Sequence, residues 1–248
     1  MNPAVLPRAP CPSLRDRRPT LRGVTETAFD SLRDFINSLP AAHREGPEAS
    51  IDEAITAARR DAEEYGLAAP DHLTGMLLST LAAAAGGPKP TGAIALTPSL
   101  AVVGLYLLRG MPSQGTVTCI DPEAEHQRQA REAFRAAGFG PSRGRFLPSR
   151  PVDVLSRMAP ASYHLVYAEV DPVDLRAVID AAWPLLTPGG TLVLADALLD
   201  ATVADASRKD QSTSAARTAQ EHLRTFEGRA VVSHLPLGAG MTLVTRLP

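Results

Sequence analysis

From Thr91 onward, short apolar runs alternate with segments of helical spacing, and this alternation constrains the fold more than any other feature of the sequence. It is typical of βαβ units, in which helices cover a parallel sheet. Five strands are predicted at 92–96, 116–120, 145–148, 163–168 and 191–195, and four helices at 100–109, 123–137, 152–158 and 173–186. The sequence therefore predicts an α/β fold built on a Rossmann-like parallel sheet.

Two further strands are predicted near the C-terminus. They span 230–235 and 241–247, follow a helix at 212–225 and flank the turn 236–240. Strands joined by so short a turn pair antiparallel. The sequence Thr-Pro-Gly-Gly at 187–190 is expected to form a turn that ends the preceding helix. We therefore expect a mostly parallel seven-stranded sheet that closes with one antiparallel pair.

The sequence ahead of Thr91 predicts helices. Apolar residues have helical spacing within 25–39, Ser-Ile-Asp-Glu at 50–53 fits a capping box that opens a second helix, and a third helix is predicted at 71–85. Residues 1–23 are rich in proline and arginine, which predicts a disordered leader. The expected organisation is a leader at 1–23, a helical extension at 24–90 and the α/β domain at 91–248.

The overall charge and the cysteines narrow the classes of partner and compartment. The 248 residues carry a formal net charge of −2, so no basic excess favours nucleic acid or an anionic membrane. The leader lacks the apolar core of a secretory signal, and no apolar stretch reaches bilayer-spanning length. Cys11 lies in the leader and Cys119 in an apolar run, so no disulfide is expected between them. These features predict a cytoplasmic protein with neither a nucleic-acid nor a membrane partner.

Four short motifs occur in a fixed order along the predicted α/β domain. Asp121 directly follows the second strand, LVYAEVD spans 165–171, LLTPGG spans 185–190 and LPLGAG spans 235–240. In order and spacing, these motifs resemble the class I S-adenosylmethionine-dependent methyltransferases, and among them the catechol-type O-methyltransferases. The resemblance covers about residues 50–248. It implies the class I methyltransferase fold with N-terminal helices, S-adenosylmethionine as cofactor, a small hydroxylated acceptor and a homodimer.

The loop after the first strand departs from that family. The resemblance places the family's acidic residue on Ala95 and its three glycines on Thr97, Ser99 and Ala101. Glycine lets a backbone approach the cofactor closely, so Cβ atoms at Thr97 and Ser99 are expected to intrude on the methionine and ribose. The segment is either an ordinary strand–turn–helix connection with Ser99 as N-cap, or a remodelled loop that binds the cofactor through Thr97, Ser99 and Ala101.

Two further positions are candidates for the cofactor. A carboxylate at the end of the second strand, Asp121, can accept hydrogen bonds from both ribose hydroxyls. It can equally cap the helix predicted at 123–137, and one residue can do both. Ser149, after the third strand, matches a family position near the adenine, although a surface turn explains it equally well.

The resemblance also implies a divalent metal such as Mg²⁺, which lowers the pKa of the acceptor hydroxyl. The first metal ligand of the family corresponds to Glu169 and the second to Asp196. These two residues are the catalytic candidates, and Glu169 is also a cofactor-binding candidate. The third ligand, usually Asn, falls on Ala197, and a usual lysine falls on Pro172. Glu169 and Asp196 could still hold Mg²⁺ with water completing the shell, or they could be solvated residues at strand ends.

Two functions of different classes follow from this pattern. The first is a methyltransferase acting on a small hydroxylated acceptor, supported by the order of elements, Asp121 and the pair Glu169/Asp196. The second is a catalytically lapsed methyltransferase fold that serves as a binding or assembly module, supported by the departures in the cofactor loop and metal set. A third, weaker interpretation is an NAD-dependent enzyme, but no G-x-G-x-x-G follows the first strand.

Overall fold

The computed structural model describes residues 24–39, 46–84 and 92–248. The chain divides into two compact units, and the first ends at Leu39. Within that unit the structure describes one helix, α1 (Val24–Ser38). The leader predicted at 1–23 lies outside the described residues. Among those that are described, no helix is both long and apolar enough to cross a bilayer.

The second unit contains the sheet and its covering helices. In chain order its elements are α2 (Pro47–Glu64), α3 (His72–Ala83), β1 (Gly92–Leu96), α4 (Leu100–Gly110), β2 (Val117–Ile120), α5 (Ala124–Ala136), β3 (Gly144–Leu147), α6 (Pro151–Leu155), β4 (Tyr163–Ala168), α7 (Leu175–Ala182), β5 (Leu186–Leu194), α8 (Gln211–Leu223), β6 (Ala230–Leu235) and β7 (Met241–Arg246). This order confirms the predicted alternation of strands and helices.

The sheet has seven strands in the order β3-β2-β1-β4-β5-β7-β6. Strands β1 to β5 are parallel, whereas β7 runs antiparallel to both β5 and β6. The prediction of a mostly parallel sheet with a terminal antiparallel pair is therefore confirmed. The chain reverses its winding direction between β1 and β4, and in such sheets ligands bind outside the carboxyl ends of the strands at that point.

Alternating residues of the central strand face two separate hydrophobic layers. Ala93 and Ala95 of β1 pack on the side of α2, α3, α4 and α5, whereas Ile94 and Leu96 pack on the side of α7 and α8. All four are fully buried. Cys119, the free cysteine of the described chain, is also buried, and this burial raises the pKa of its thiol. Helices cover both faces of the sheet, so the ends of the strands are left uncovered.

Two local predictions were wrong. Helix α2 begins at Pro47 with Gly46 as its N-cap, not at the capping box predicted for 50–53. Proline suits the first helical turn, where its missing N–H has no partner to lose, so the helix starts earlier. The turn predicted for 187–190 is instead an irregular stretch within β5, whose residues lie outside the pairing with β4 because Tyr163 pairs with Leu186 and Leu165 with Thr191. Gly189 provides the φ of 77° that this irregular stretch contains.

Candidate functional site

Backbone hydrogen bonds extend the sheet one residue beyond its strands and bring three loops side by side. The amide of Glu169 donates to the carbonyl of Leu96 over 2.8 Å, and that of Ala195 donates to Ala168 over 2.9 Å. Thr97 follows Leu96 in the chain, Glu169 follows Ala168, and Asp196 follows Ala195. The parallel register therefore places the ends of β1, β4 and β5 at one site.

The carboxylate of Glu169 lies among hydroxyl groups. Thr97 Oγ1 donates to Glu169 Oε2 over 2.8 Å, and the Tyr167 hydroxyl approaches the same oxygen at 3.5 Å. Thr97 Oγ1 also accepts a hydrogen bond from the amide of Ser99 over 3.0 Å. The hydroxyl of Thr97, a residue whose Cβ is expected to intrude on the cofactor, thus joins two residues of the loop and orients a carboxylate.

Burial controls the protonation of this group. It raises the pKa of Glu169 above its ordinary value, and the negative charge of Asp196 raises it further, against the opposing hydrogen bonds from Thr97 and Tyr167. Burial likewise raises the pKa of Tyr167 well above the usual range, and the charges of Glu169 and Asp196 act in the same direction. Tyr167 is therefore a neutral hydrogen-bond donor at physiological pH, and the raised pKa makes the carboxylate of Glu169 a stronger base than an exposed one.

Asp196 is held by the turn between β6 and β7. It adopts the left-handed region with a φ of 53°, and its Oδ1 accepts a hydrogen bond from the amide of Ala239 over 2.6 Å. The amide of Asp200 donates to the carbonyl of Ala239 over 2.8 Å. A Cβ atom on Gly238 would clash with Asp196 Oδ1, so glycine permits this close approach. The LPLGAG motif therefore positions a carboxylate of the site.

Replacing Gly238 by alanine is expected to displace Asp196 and to destabilise the protein. The new Cβ would meet the carboxylate, and Gly238 has a φ of 57°, which costs other residues about 1–2 kcal/mol. Gly228 is the matched control, because its φ is 75° and nothing lies within 4 Å of its Cβ position. Thermal unfolding should show a clearly larger loss for Gly238→Ala than for Gly228→Ala. Equal losses would contradict the close contact.

A cavity of about 200 Å³ opens above Glu169 and Asp196. The connection between α2 and α3 forms one wall, and the turn between β6 and β7 forms the other. Its polar lining includes Asp71, Tyr167, Glu169 and Asp196, and its apolar lining includes Met241. Among the described residues that line it, none is lysine or arginine. We call it the acceptor cavity.

A second cavity, of about 210 Å³, lies at the ends of β1, β2 and β4. Thr97, Asp121 and Arg150 supply polar lining, and Ile120 belongs to its apolar lining. Glu169 lines this cavity as well as the acceptor cavity. Because it lies at the switch point of the sheet, we call it the cofactor cavity.

Asp121 makes local hydrogen bonds ahead of α5 and lines the cofactor cavity. Its Oδ1 accepts hydrogen bonds from the amide of Glu123 and from His126 Nδ1, each over 2.8 Å, and Gln127 Nε2 donates to its carbonyl over 2.8 Å. The N-cap of α5 is Glu123, without a side-chain capping bond, so the predicted N-cap role of Asp121 is wrong: its carboxylate stabilises the turn that precedes the helix. Its Oδ2 takes part in no hydrogen bond among the described residues.

The other cofactor candidates are placed differently. Ser99 holds the N-cap position of α4 without a capping bond, and its hydroxyl donates instead to the carbonyl of Ala68. Ser99 and Ala101 line a separate groove beside α2 and α5. Ser149 is half-buried between β3 and α6, next to Arg150. The structure thus brings Thr97, Asp121 and Glu169 to one cavity, but not Ser99 or Ala101.

The carboxylate pair fits a divalent cation through two ligands. In the part of the chain that the structure describes, no group of three or more His, Cys, Asp or Glu side chains is placed to hold a metal. Glu169 Oε1 and Asp196 Oδ2 accept no hydrogen bond from those residues. The two carboxylates also repel each other, which a cation would relieve. Mg²⁺ commonly binds through one or two carboxylates and retains several waters, so the pair suits it.

Sequence reasoning missed three residues of the site. Tyr167 precedes Glu169 by two positions, so the two-residue period of a strand could have placed them together. His126 lies in the first turn of the helix that follows Asp121 and was within reach of it. Asp71 offered no signal beyond its capping role, because only the packing of α3 over the sheet brings it to the acceptor cavity.

The strand order and the cavities at the switch point define a class I methyltransferase fold. No protein-family profile matches the sequence. A Mycolicibacterium smegmatis protein, provisionally named an O-methyltransferase, is 37% identical over 197 residues, which cover 79% of this chain and 92% of that protein. The chain therefore belongs to this O-methyltransferase family.

Solved structures share the fold. The structure of a Corynebacterium glutamicum protein is 55% identical, with a TM-score of 0.82 and coverage of 89% of this chain and 98% of that one. The O-methyltransferase TomG from Streptomyces achromogenes, solved with S-adenosylmethionine, is 20% identical, with a TM-score of 0.71 and coverage of 90% and 99%. The second likeness supports the shared fold.

Proposed function

We propose that this protein transfers a methyl group from S-adenosylmethionine to a hydroxyl group of a small, uncharged acceptor. The observation that carries the proposal is that Glu169 lines both the acceptor cavity and the cofactor cavity. A methyl donor in one cavity and a hydroxyl in the other would meet beside this carboxylate. Methyl transfer depends mainly on such positioning, because the attacking oxygen must approach in line with the breaking bond.

The cofactor cavity suits a nucleoside. Asp121 Oδ2 is available to ribose hydroxyls, while His126 and the amide of Glu123 hold the other carboxylate oxygen. Ile120 and Val170 supply apolar surface for a base. S-adenosylmethionine would bring an electrophilic methyl group on a sulfonium, and the solved complex of TomG supports this choice.

The acceptor cavity favours a neutral substrate. Asp71, Glu169 and Asp196 line it without a basic residue among its described lining, so an anionic acceptor would meet repulsion. As the acceptor oxygen bonds to the methyl carbon, Glu169 takes up the hydroxyl proton, and the electron pair of the broken C–S bond stays on sulfur. If Mg²⁺ were held by Glu169 and Asp196, it would lower the pKa of the same hydroxyl, and Glu169 would then act as a ligand in place of the base.

Calorimetric titration with S-adenosylmethionine and S-adenosylhomocysteine, with and without Mg²⁺, tests the cofactor part directly. Saturable binding in the micromolar range supports the proposal, and transfer of labelled methyl groups to a panel of catechols and neutral phenols then tests the acceptor. Absence of binding at millimolar cofactor would contradict it. That outcome would favour the lapsed fold, which no sequence or structural relative supports.

The proposal includes three further properties: the domain organisation, the oligomeric state, and the compartment with its partners. The methyltransferase-like domain spans 91–248, preceded by a helical extension at 24–90, and the family resemblance favours a homodimer. The charge balance favours a protein that binds neither nucleic acid nor an anionic membrane, and the cysteine usage favours a cytoplasmic location. Light scattering after gel filtration tests the oligomeric state, and a single-chain mass would contradict the dimer.

Thr97→Val is expected to lower the methyl-transfer rate by roughly tenfold, because hydrogen bonds to a charged group are worth about 1.5–3 kcal/mol. The change removes the hydroxyl that orients Glu169 and accepts from the amide of Ser99. Thr97→Ser keeps the hydroxyl and is the control. Initial rates at saturating cofactor measure the effect, and equal rates for the valine and serine variants would refute the role of the hydroxyl.

A further inference from the structure

A larger cavity, of about 390 Å³, lies away from the site just described. It is formed where the C-terminal end of α5 meets the start of β3, the edge strand of the sheet. The acceptor and cofactor cavities lie where the strands end, so this cavity is at the opposite edge. We call it the aromatic pocket, and its defining residues are Arg131, Phe134, Arg135, Phe139, Gly144 and Phe146.

Phenylalanine rings form the apolar wall of the aromatic pocket. The ring centroids of Phe134 and Phe146 are 5.6 Å apart, in a tilted contact, and Phe139 closes the wall. A Cβ atom on Gly144 would lie 2.7 Å from the Phe146 ring and 3.0 Å from Phe134. Glycine therefore lets both rings pack against the backbone at the base of the pocket. Cavities lined by aromatic side chains with a few polar groups are typical of small-molecule sites.

Arginine side chains supply the polar groups. The guanidinium of Arg131 lies 4.5 Å from the centroid of Phe146, and that of Arg143 lies 5.3 Å from the centroid of Phe139. Arg143 does not line the pocket itself, and its Nε donates to the carbonyl of Gly115 over 2.7 Å. The arginines that line the pocket are Arg131 and Arg135.

These arginines also lack counterions. Within the described chain, Arg131, Arg135 and Arg143 have no carboxylate in ion-pair range, and no acidic residue lines the pocket. Arg128 on the same helix differs, since it pairs with Glu132 over 2.7 Å. Unpaired guanidinium groups stacked on aromatic rings combine a planar apolar surface with positive charge.

We propose that the aromatic pocket binds an anion carried on a planar aromatic ring. The ring would lie against the phenylalanine wall, and the anionic group would accept hydrogen bonds from the guanidinium groups of Arg131 and Arg135. Arginine binds carboxylate and phosphate alike through paired N–H groups, so the anion is of either kind. This site is separate from methyl transfer and does not depend on the function proposed above.

Calorimetric titration of the intact protein with 2-naphthoate and with 2-naphthyl phosphate tests this proposal, and 2-naphthylmethanol is the neutral analogue. Saturable binding of at least one anion is expected, at least about tenfold tighter than the alcohol. Arg131→Gln and Arg135→Gln should each weaken it by about tenfold. Both side chains are exposed, so the variants should unfold at the temperature of the parent protein. The stronger of the two anions identifies the kind of acid group.

Two control variants separate this pocket from the rest of the molecule. Arg157→Gln removes an exposed arginine elsewhere, and Glu169→Gln alters the acceptor cavity; neither should change the affinity for the anions. A changed affinity in Glu169→Gln with no change in the two pocket variants would overturn the proposal, because the probe would then lie in the acceptor cavity. Equal affinity for the alcohol, unchanged affinity in both pocket variants, or no saturable binding at millimolar probe would also overturn it.

Discussion

Glu169→Gln is expected to lower the rate of methyl transfer by about 10²–10⁴-fold, the range associated with loss of a general base. The amide keeps the shape of the side chain but cannot take up the hydroxyl proton. Single-turnover rates with saturating cofactor measure the effect. Glu169→Asp is the control, because it keeps a carboxylate on a shorter arm and should retain part of the rate. Equal rates for the parent and the glutamine variant would exclude Glu169 as the base.

The same substitution should leave the protein at least as stable near neutral pH in the presence of a chelator. Burial raises the pKa of Glu169 in the folded state, so the folded protein binds more protons than the unfolded chain between the ordinary and the raised pKa. Stability is therefore lost as the pH rises through the raised value, and a neutral amide removes that loss. Thermal unfolding across this pH range tests the sign. A glutamine variant with lower stability at neutral pH would contradict it.

Asp121→Ala is expected to weaken binding of S-adenosylhomocysteine by about 10–100-fold, which corresponds to hydrogen bonds between the ribose and a charged acceptor. The variant should also lose about 1 kcal/mol of stability, because the carboxylate accepts hydrogen bonds from the amide of Glu123 and from His126 in the turn before α5. Titration calorimetry and thermal unfolding measure the two effects separately.

Asp210→Ala is the matched control for Asp121→Ala. Asp210 accepts a hydrogen bond from the amide of Thr213 over 2.9 Å at the start of α8 and lines neither the acceptor nor the cofactor cavity. It should lose similar stability without a change in affinity. If Asp121→Ala binds S-adenosylhomocysteine as tightly as Asp210→Ala does, the carboxylate has no role beyond stabilising the turn before α5.

The fold could be predicted from the sequence because its periodic patterns are local. The alternation of strands and helices after Thr91 predicted the seven-stranded sheet, and the short turn at 236–240 predicted the antiparallel pair; the structure contains both. The start of α2 could not be predicted, since a capping box at 50–53 and a proline at position 47 are both acceptable helix starts. Nothing in the local sequence decides between them.

The candidate site was only partly predictable, because its details depend on contacts between distant segments. Asp121, Glu169 and Asp196 follow strands and could be placed from the register alone. The hydroxyl of Thr97 turns towards β4, a contact across 72 positions of sequence. A comparison of Thr97 with the family's glycine predicts only that its Cβ intrudes on the cofactor. It does not predict the hydrogen bond to Glu169. Ser99 likewise bonds to Ala68, whose position depends on the packing of the segment before α3.

The hydrogen bond from the amide of Ala239 to Asp196 affects the order in which parts of the protein fold during synthesis. Synthesis proceeds from the N-terminus, so β1 to β5 can associate before the last hairpin has emerged from the ribosome. Asp196 receives its hydrogen bond only when the turn between β6 and β7 arrives. A nascent chain that already carries the residues of the cofactor cavity therefore has an incomplete acceptor cavity, and catalytic competence begins with the final strands.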